Sequence, residues 1–149
     1  MKAISLWQPW ASLWLTDAKI HETRHWGTSH RGRLAVHAAK RKIDAMDGDP
    51  VDEICNSLFG NHWGQDLPFG AIIGVVNLTD CRQMKFTAPQ HQEDMESGNW
   101  EDERYAWRRS EVIKLPAPIP YRGAQGIFNV PDEIVLAAIQ SFPQGSAGS

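Results

Sequence analysis

Cysteine is scarce in this sequence, and no Cys-x-x-Cys motif is present. Only Cys55 and Cys81 occur among 149 residues, too few for a disulfide framework. Free cysteine usually behaves as a small hydrophobic residue, and both cysteines have apolar neighbours, so we expect two reduced packing residues. Reduced cysteines are the rule in the cytoplasm, and we predict a cytoplasmic location.

Long hydrophobic runs are also missing. No stretch approaches the roughly 18 apolar residues that a membrane-crossing helix requires, so no membrane span is expected. The N-terminal residues reach Gln8-Pro9 before the apolar core of a signal peptide would form. With 149 residues, the chain fits one domain, predicted over 1–142. The Gly- and Ser-rich segment 143–149 is predicted to be a disordered tail.

Motifs for phosphate binding or a serine nucleophile are absent as well. The chain contains no G-x-G-x-x-G, no P-loop and no nucleophile elbow. His21 and His25 stand four residues apart, which is a metal-ligand spacing on a helix but not on the strand predicted there. We therefore expect no cofactor and no metal.

Charge is distributed unevenly, although the net charge is only −3. In the segment from Lys19 to Lys42, basic side chains are opposed only by Glu22, whereas the segment from Glu93 to Glu103 is acidic and lacks Lys and Arg. Solvated surfaces are the plainest explanation of both runs. If either segment meets phosphates it is the basic one, since the acidic one would repel them.

Hydrophobic periodicity predicts an α+β fold, in which a mixed sheet curls into a small barrel with short flanking helices. The expected strands are 2–7, 21–26, 33–39, 69–78, 105–115 and 127–129, with 69–78 central and covered on both faces. The expected helices are 9–16, 40–46, one capped by Asp49-Pro50 that buries Val51, Ile54, Cys55 and Leu58, and one after Pro131. Asp17 is expected to end the first helix in a left-handed conformation. The acidic segment 80–103 is expected to be a long loop or partly helical insertion that closes a site.

Several polar and aromatic motifs follow one another along the chain. They are Trp7-Gln8-Pro9-Trp10-Ala11-Ser12, Lys19-x-x-Glu22-x-Arg24, His30-Arg31-Gly32-Arg33-Leu34-Ala35-Val36-His37-Ala38, Tyr105-Ala106-Trp107 and Gly123-x-Gln125-Gly126-Ile127-Phe128. Together they resemble the ASCH family, the RNA-associated branch of the PUA-like β-barrel superfamily, over most of residues 2–130. The resemblance implies a PUA-like barrel and association with RNA. Asp17 departs from the family's usual Gly, and the insertion at 80–103 has no family counterpart.

Lys19, Glu22 and Arg24 are the central candidates for a functional site, because the resemblance makes them the defining polar positions. On a strand, Glu22, Arg24 and Trp26 share one face, and Lys19 joins them only if residues 17–20 form a turn. Taken alone, the residues fit a surface lysine and an ion pair worth less than ~1 kcal/mol. With the resemblance, they predict a nucleobase pocket, in which Glu and Arg offer acceptor and donor edges and a tryptophan offers a stacking face.

The other candidates come from the family motifs and the aromatic content. The predicted ligand-binding residues are Gln8, Arg24, Trp26, Arg31, His37 and Trp107. Trp26 and Trp107 are the expected pocket walls, whereas Trp10 and Trp14 are expected in the core. A hydrogen-bonded residue of the barrel wall is the alternative role for His37.

Two functions fit these residues: a module that binds RNA or a nucleoside, which we favour, and a small amidohydrolase. Some bacterial ASCH proteins remove the acetyl group of N4-acetylcytidine, with a Lys as base and a Thr three residues later as nucleophile. Lys19 matches that Lys, but Glu22 occupies the Thr position, so the family mechanism does not transfer intact. An enzyme would use Lys19 as activator and Glu22 to hold it or a water. This requires burial or a neighbouring cation to lower the lysine pKa from about 10.4.

Overall fold

A computed structural model describes residues 1–42 and 48–140, and one mixed sheet organises them. Its strands are β1 Lys2–Leu6, β2 His21–Arg24, β3 Gly32–Ala38, β4 Ala71–Gln83, β5 Tyr105–Pro120 and β6 Ile127–Asn129. Their order is β2-β5-β4-β3-β1-β6, with β1 and β3 parallel and the other neighbours antiparallel. The predicted α+β class and mixed sheet are confirmed.

Short helices flank this sheet, as predicted. They are α1 Trp10–Leu13, α2 Pro50–Phe59, α3 Trp63–Asp66, α4 Gln92–Glu96 and α5 Asp132–Gln140. Asp49 caps α2 by accepting a hydrogen bond from the Val51 N–H at 2.9 Å, and Pro50 opens the helix, because its missing N–H is not needed in the first turn. Leu58 was expected to be buried, but it is 46% exposed, and Phe59 packs instead against the core cluster of Val51, Ile54 and Cys55.

β4 is the central strand of the sheet, as its apolar run predicts. It lies between β3 and β5, and residues 71–76 are buried. Successive side chains of a strand point to opposite faces, so Val76 packs with Trp14 in one core cluster while Val75 packs with Val135 of α5 in the other. Both faces of β4 are therefore covered.

Strand pairing and strand ends differ from the sequence prediction at two places. The segments 21–26 and 33–39 were predicted as successive strands, yet β2 and β3 are separated in the sheet by β5 and β4. The strand predicted at 105–115 was expected to stop before its prolines, but β5 continues to Pro120. Its register on β4 shifts between Ile72 and Gly74, and β2 pairs only with residues 105–108 of β5. Prolines are tolerated at such a bulge and on such an open edge, because their missing N–H removes no ladder hydrogen bond.

The remaining local predictions have mixed outcomes. None of the non-glycine residues that the structure describes has a positive φ, so the left-handed conformation predicted for Asp17 is wrong. The helix predicted at 40–46 falls largely outside the described residues, as does the tail 143–149. Cys55 and Cys81 are both free thiols, as predicted. Within 1–42 and 48–140, no helix has the length and hydropathy of a transmembrane span.

Candidate functional site

A cavity of about 550 Å³ opens between β2 and the segment that follows β4. We call residues 90–99, which include α4, the strap. One wall of the cavity comes from β2, one from the junction of β1 and α1, and one from the strap. Its lining residues include Trp7, Trp10, Glu22, Thr23, Arg24, His25, Asp49, Glu96, Ser97, Asn99 and Arg104. The insertion thus closes one side of the cavity.

The polar constellation predicted from the sequence is assembled at the floor of this cavity. The Glu22 carboxylate lies between two cations, with Lys19 Nζ at 3.4 Å from Oε1 and Arg24 Nη1 at 3.5 Å from Oε2. Lys19 can reach the face of Glu22 and Arg24 only if the chain turns before β2. That turn is present, since the Lys19 N–H donates to the Thr16 carbonyl at 3.4 Å. All three candidate residues therefore form one charged cluster.

Lys19 lies beneath the cavity rather than in its wall. Its side chain is fully buried, and Nζ donates a hydrogen bond to the Ser97 carbonyl at 2.6 Å. Burial lowers the pKa of Lys19, while the carboxylates of Glu22 and Asp94 oppose that shift. Lys19 therefore has the burial that an activating lysine requires. Glu22 and Ser97 lie between its amine and the cavity.

Arg109 of β5 organises the turn that presents Lys19. Its buried guanidinium donates to the carbonyls of Trp14 and Lys19 at 3.0 and 3.1 Å, and also to that of Thr16. This single side chain holds the whole 14–19 connection against the sheet. Nothing in the sequence distinguishes Arg109 from a solvated arginine of a strand, so its role could not be predicted.

Asp94 anchors the strap to β2. One carboxylate oxygen accepts from the Ile20 and His21 N–H groups at 2.8 and 2.9 Å, and the other from the Gln90 N–H at 2.8 Å and His21 Nδ1 at 2.7 Å. A carboxylate only accepts, so the His21 proton is on Nδ1. Asp94 is fully buried, although it belongs to the acidic run whose plainest explanation was a solvated surface.

Acid is expected to weaken this anchor. Burial by itself raises the pKa of Asp94, but the hydrogen bonds from His21 and Gln90 prevail and lower the pKa from 3.8 to about 2. A lowered pKa stabilises the folded state above the unfolded value, and that contribution, roughly 2 kcal/mol, is lost as the pH falls from about 4 to about 2. Urea unfolding of the wild type and of Asp94→Asn between about pH 5 and about pH 2 tests this. The variant should lack that part of the pH dependence, and parallel pH profiles would contradict the assignment.

The aromatic surface of the cavity comes from tryptophans other than those predicted. Trp7 is 46% exposed and Trp10 is half-buried, and both line the cavity. Trp10 was expected in the core, where only Trp14 of that pair lies. Trp107 is fully buried, and its indole N–H donates to the Trp26 carbonyl at 3.1 Å. Its ring therefore offers no free stacking face, while half-buried Trp26 lines a neighbouring cavity.

Gln8 is placed inside the protein and not at the cavity. Its amide donates to Ser12 Oγ at 2.8 Å and to the Pro68 carbonyl at 2.9 Å, and its oxygen accepts from the Ser12 N–H at 3.0 Å. These bonds tie α1 to the chain before β4. Arg31 is exposed and donates to nearby carbonyls, and it does not line the cavity.

His37 lies in the barrel wall with both ring nitrogens engaged. Nε2 donates to the Tyr121 carbonyl at 2.7 Å, so Nδ1, at 2.9 Å from Ser5 Oγ, is the acceptor in the neutral ring. It faces a different cavity from the one beside Glu22. Of the predicted ligand-binding residues, only Arg24 lines the cavity beside the strap.

Comparison with known proteins places this fold and sequence among ASCH domains. The family model described as ASCH domain matches residues 4–119. The sequence is 36% identical over 84 residues to activating signal cointegrator 1 of Homo sapiens and 34% identical over 84 residues to that of Mus musculus. These alignments span 55% of this chain but only 14% of each relative. The crystal structure of ASCH from Zymomonas mobilis superposes with a TM-score of 0.56 at 13% identity, covering 95% of this chain and 94% of that one.

Proposed function

Since the chain belongs to the ASCH domain family, we propose that its cavity binds a nucleobase, presented as a nucleoside or within RNA. The observation that carries the proposal is the joint placement of a carboxylate–guanidinium pair and two tryptophans in one cavity. Glu22 offers acceptors and Arg24 offers donors, which are the groups that distinguish base edges. Trp7 and Trp10 provide the aromatic surface on which a base stacks.

The charge of the cavity favours an uncharged ligand group. Three carboxylates line it, from Glu22, Asp49 and Glu96. Arg24 and Arg104 also line it, so its lining carries three carboxylates and two guanidinium groups. Such a lining offers donors and acceptors without an excess of positive charge that would attract phosphate. We therefore assign the base, rather than a phosphate, to this cavity.

Replacing Trp7 with alanine is expected to weaken nucleoside binding strongly. Stacking on an aromatic side chain is worth about 1–3 kcal/mol per base, which is roughly a 5- to 150-fold loss of affinity. Isothermal titration with unmodified nucleosides and N4-acetylcytidine measures it. Phe86→Ala is the matched control, because Phe86 is 64% exposed and does not line the cavity. Equal nucleoside affinities for the two variants would show that Trp7 does not take part in binding.

A second candidate function, hydrolysis of an N-acylated nucleoside, is supported by the burial of Lys19 and its lowered pKa. Water would add to the amide carbonyl, and the bond to the base nitrogen would break to give the amine and the carboxylate. Lys19 would act through Glu22, which it touches and which lines the cavity. Glu22 occupies the position that the resemblance to the bacterial ASCH amidohydrolases gives to a nucleophilic Thr. An attacking water would therefore take the place of the Thr hydroxyl.

Product formation separates the two functions. With N4-acetylcytidine as substrate, the hydrolase predicts release of cytidine and acetate by the wild type and none by Lys19→Met, with circular dichroism verifying that the variant is folded. Binding without product identifies a binding module. A measured Lys19 pKa near ~10.4, the value of an exposed lysine, would exclude Lys19 as the activator.

A further inference from the structure

The uncharged polar side chains of the cavity differ in whether they are already hydrogen-bonded. The hydroxyl groups of Ser5, Thr23 and Ser97 line the cavity, and each has a partner within the protein at 2.9 to 3.3 Å. Asn99 and His25 also line it. Within residues 1–42 and 48–140, neither of these two side chains forms a hydrogen bond to the protein. Both are therefore available to a ligand.

Asn99 is the one of this pair that the strap contributes, whereas His25 directly follows β2. The Asn99 N–H donates to Thr23 Oγ1 at 2.9 Å. Two residues earlier, the Ser97 carbonyl accepts from Lys19 Nζ at 2.6 Å. Both bonds join the strap to the segment 19–23, so the backbone of Asn99 has a defined position beside β2.

Gly98 allows the strap to approach β2 this closely. A Cβ atom at this position would lie 2.8 Å from Thr23 Cγ2 and 2.9 Å from Trp100 Nε1, well inside the optimal separation of about 3.5–4 Å. Trp100 in turn donates from Nε1 to the Asp94 carbonyl at 3.3 Å. The chain is therefore held on both sides of Asn99, and the exposed Asn99 side chain lines the cavity from a fixed backbone.

The carboxamide of Asn99 differs chemically from the charged groups of the cavity. A carboxylate such as that of Glu22 only accepts hydrogen bonds and a guanidinium such as that of Arg24 only donates them, whereas a carboxamide does both. Turning the carboxamide by about 180° exchanges its donor and its acceptor. Because no described residue bonds the Asn99 side chain in one orientation, a ligand can meet either arrangement.

Amino and keto bases differ by the same exchange. Cytosine presents an amino donor beside a ring-nitrogen acceptor, and uracil presents a carbonyl acceptor beside a ring N–H donor. Adenine and hypoxanthine differ in the same way.

We infer that Asn99 is the specificity-determining residue for this difference, and that its carboxamide bonds this edge of the base and adapts to both kinds. The inference rests on the proposed function, because the cavity must first bind a base. Selectivity between amino and keto bases is thus set from the strap. A side chain at this position that only accepts hydrogen bonds would restrict the cavity to amino bases.

Calorimetric titration of cytidine, uridine, adenosine and inosine into the wild type and two variants tests this inference. Asn99→Asp keeps the shape of the side chain but only accepts hydrogen bonds. It should raise the cytidine-to-uridine and adenosine-to-inosine affinity ratios roughly tenfold over the wild type. Asn99→Ala should weaken binding of all four nucleosides by roughly fivefold or more. Asn61→Asp and Asn61→Ala are the matched controls and should match the wild type, because Asn61 is exposed and does not line the cavity.

The outcomes separate this inference from the function on which it rests. Unchanged affinity ratios in Asn99→Asp would overturn the inference even if the overall affinity fell, because a purely structural change affects all four nucleosides alike. Wild-type affinity in Asn99→Ala would overturn it as well. In both cases the base site remains, since the wild type still binds nucleosides. Binding of no nucleoside by the wild type would overturn the proposed function together with this inference.

Discussion

Asp94→Asn is expected to lower the free energy of unfolding by about 2–4 kcal/mol, because a buried carboxylate that accepts four hydrogen bonds loses one of its two acceptor oxygens and its charge. Both carboxylate oxygens face N–H donors, from Ile20 and His21 on one side and from Gln90 and His21 on the other. The asparagine amide carries two hydrogens of its own. Whichever way it is oriented, its NH₂ group meets N–H groups.

Urea unfolding measures this change, and Asp102→Asn is the matched control. Asp102 belongs to the same acidic run but is exposed, so its substitution should stay within about 0.5 kcal/mol of the wild type. Hydrogen exchange should locate the effect, with faster exchange of the strap amides at 90–99 than of β4. If the two variants were equally stable, the strap would not depend on Asp94.

Lys19→Met is expected to cost about 3–5 kcal/mol, the penalty for leaving one partner of a buried charge pair behind. The Ser97 carbonyl loses its donor at 2.6 Å, and Glu22, which is only 5% exposed, loses one of its two cations. Methionine fills much of the lysine's volume. The loss of stability therefore measures the contribution of the charge and the hydrogen bond more than the effect of an empty space in the core.

A double-mutant cycle with Glu22→Gln isolates the pair. If Lys19 and Glu22 stabilise each other, the double variant should lose less stability than the sum of the single variants, by roughly 0.5–3 kcal/mol. Strict additivity would show that the contact at 3.4 Å contributes nothing. Arg24 remains in every variant and serves as the constant partner of Glu22.

The parts of the fold that could be predicted are those determined by residues close together in the sequence. The Asp49-Pro50 cap of α2 and the apolar run of β4 depend on neighbouring residues, and both are where the sequence indicates. The position of β2 beside β5 could not be predicted, because it depends on pairing across the chain, such as Glu22 with Trp107. The extension of β5 through its prolines depends likewise on a bulge against β4.

The candidate site divides in the same way. Lys19, Glu22 and Arg24 could be identified, because they form a short motif whose side chains meet within one turn and one strand. Asp94 and Arg109 could not, since their partners lie 73 and 95 residues away in the chain. Of the motif tryptophans, Trp7 and Trp10 line the cavity and Trp107 does not. Residue type alone does not predict which aromatic ring packs inside.

The structure of a complex with the nucleoside that binds most tightly tests the central claim, that this cavity is a base site. We expect the base in the cavity between β2 and the strap, with its ring about 3.5–4 Å from the indole ring of Trp7 or Trp10. Its polar edge should lie within hydrogen-bond distance of Glu22 or Arg24. A base bound elsewhere, with this cavity empty, would contradict the account.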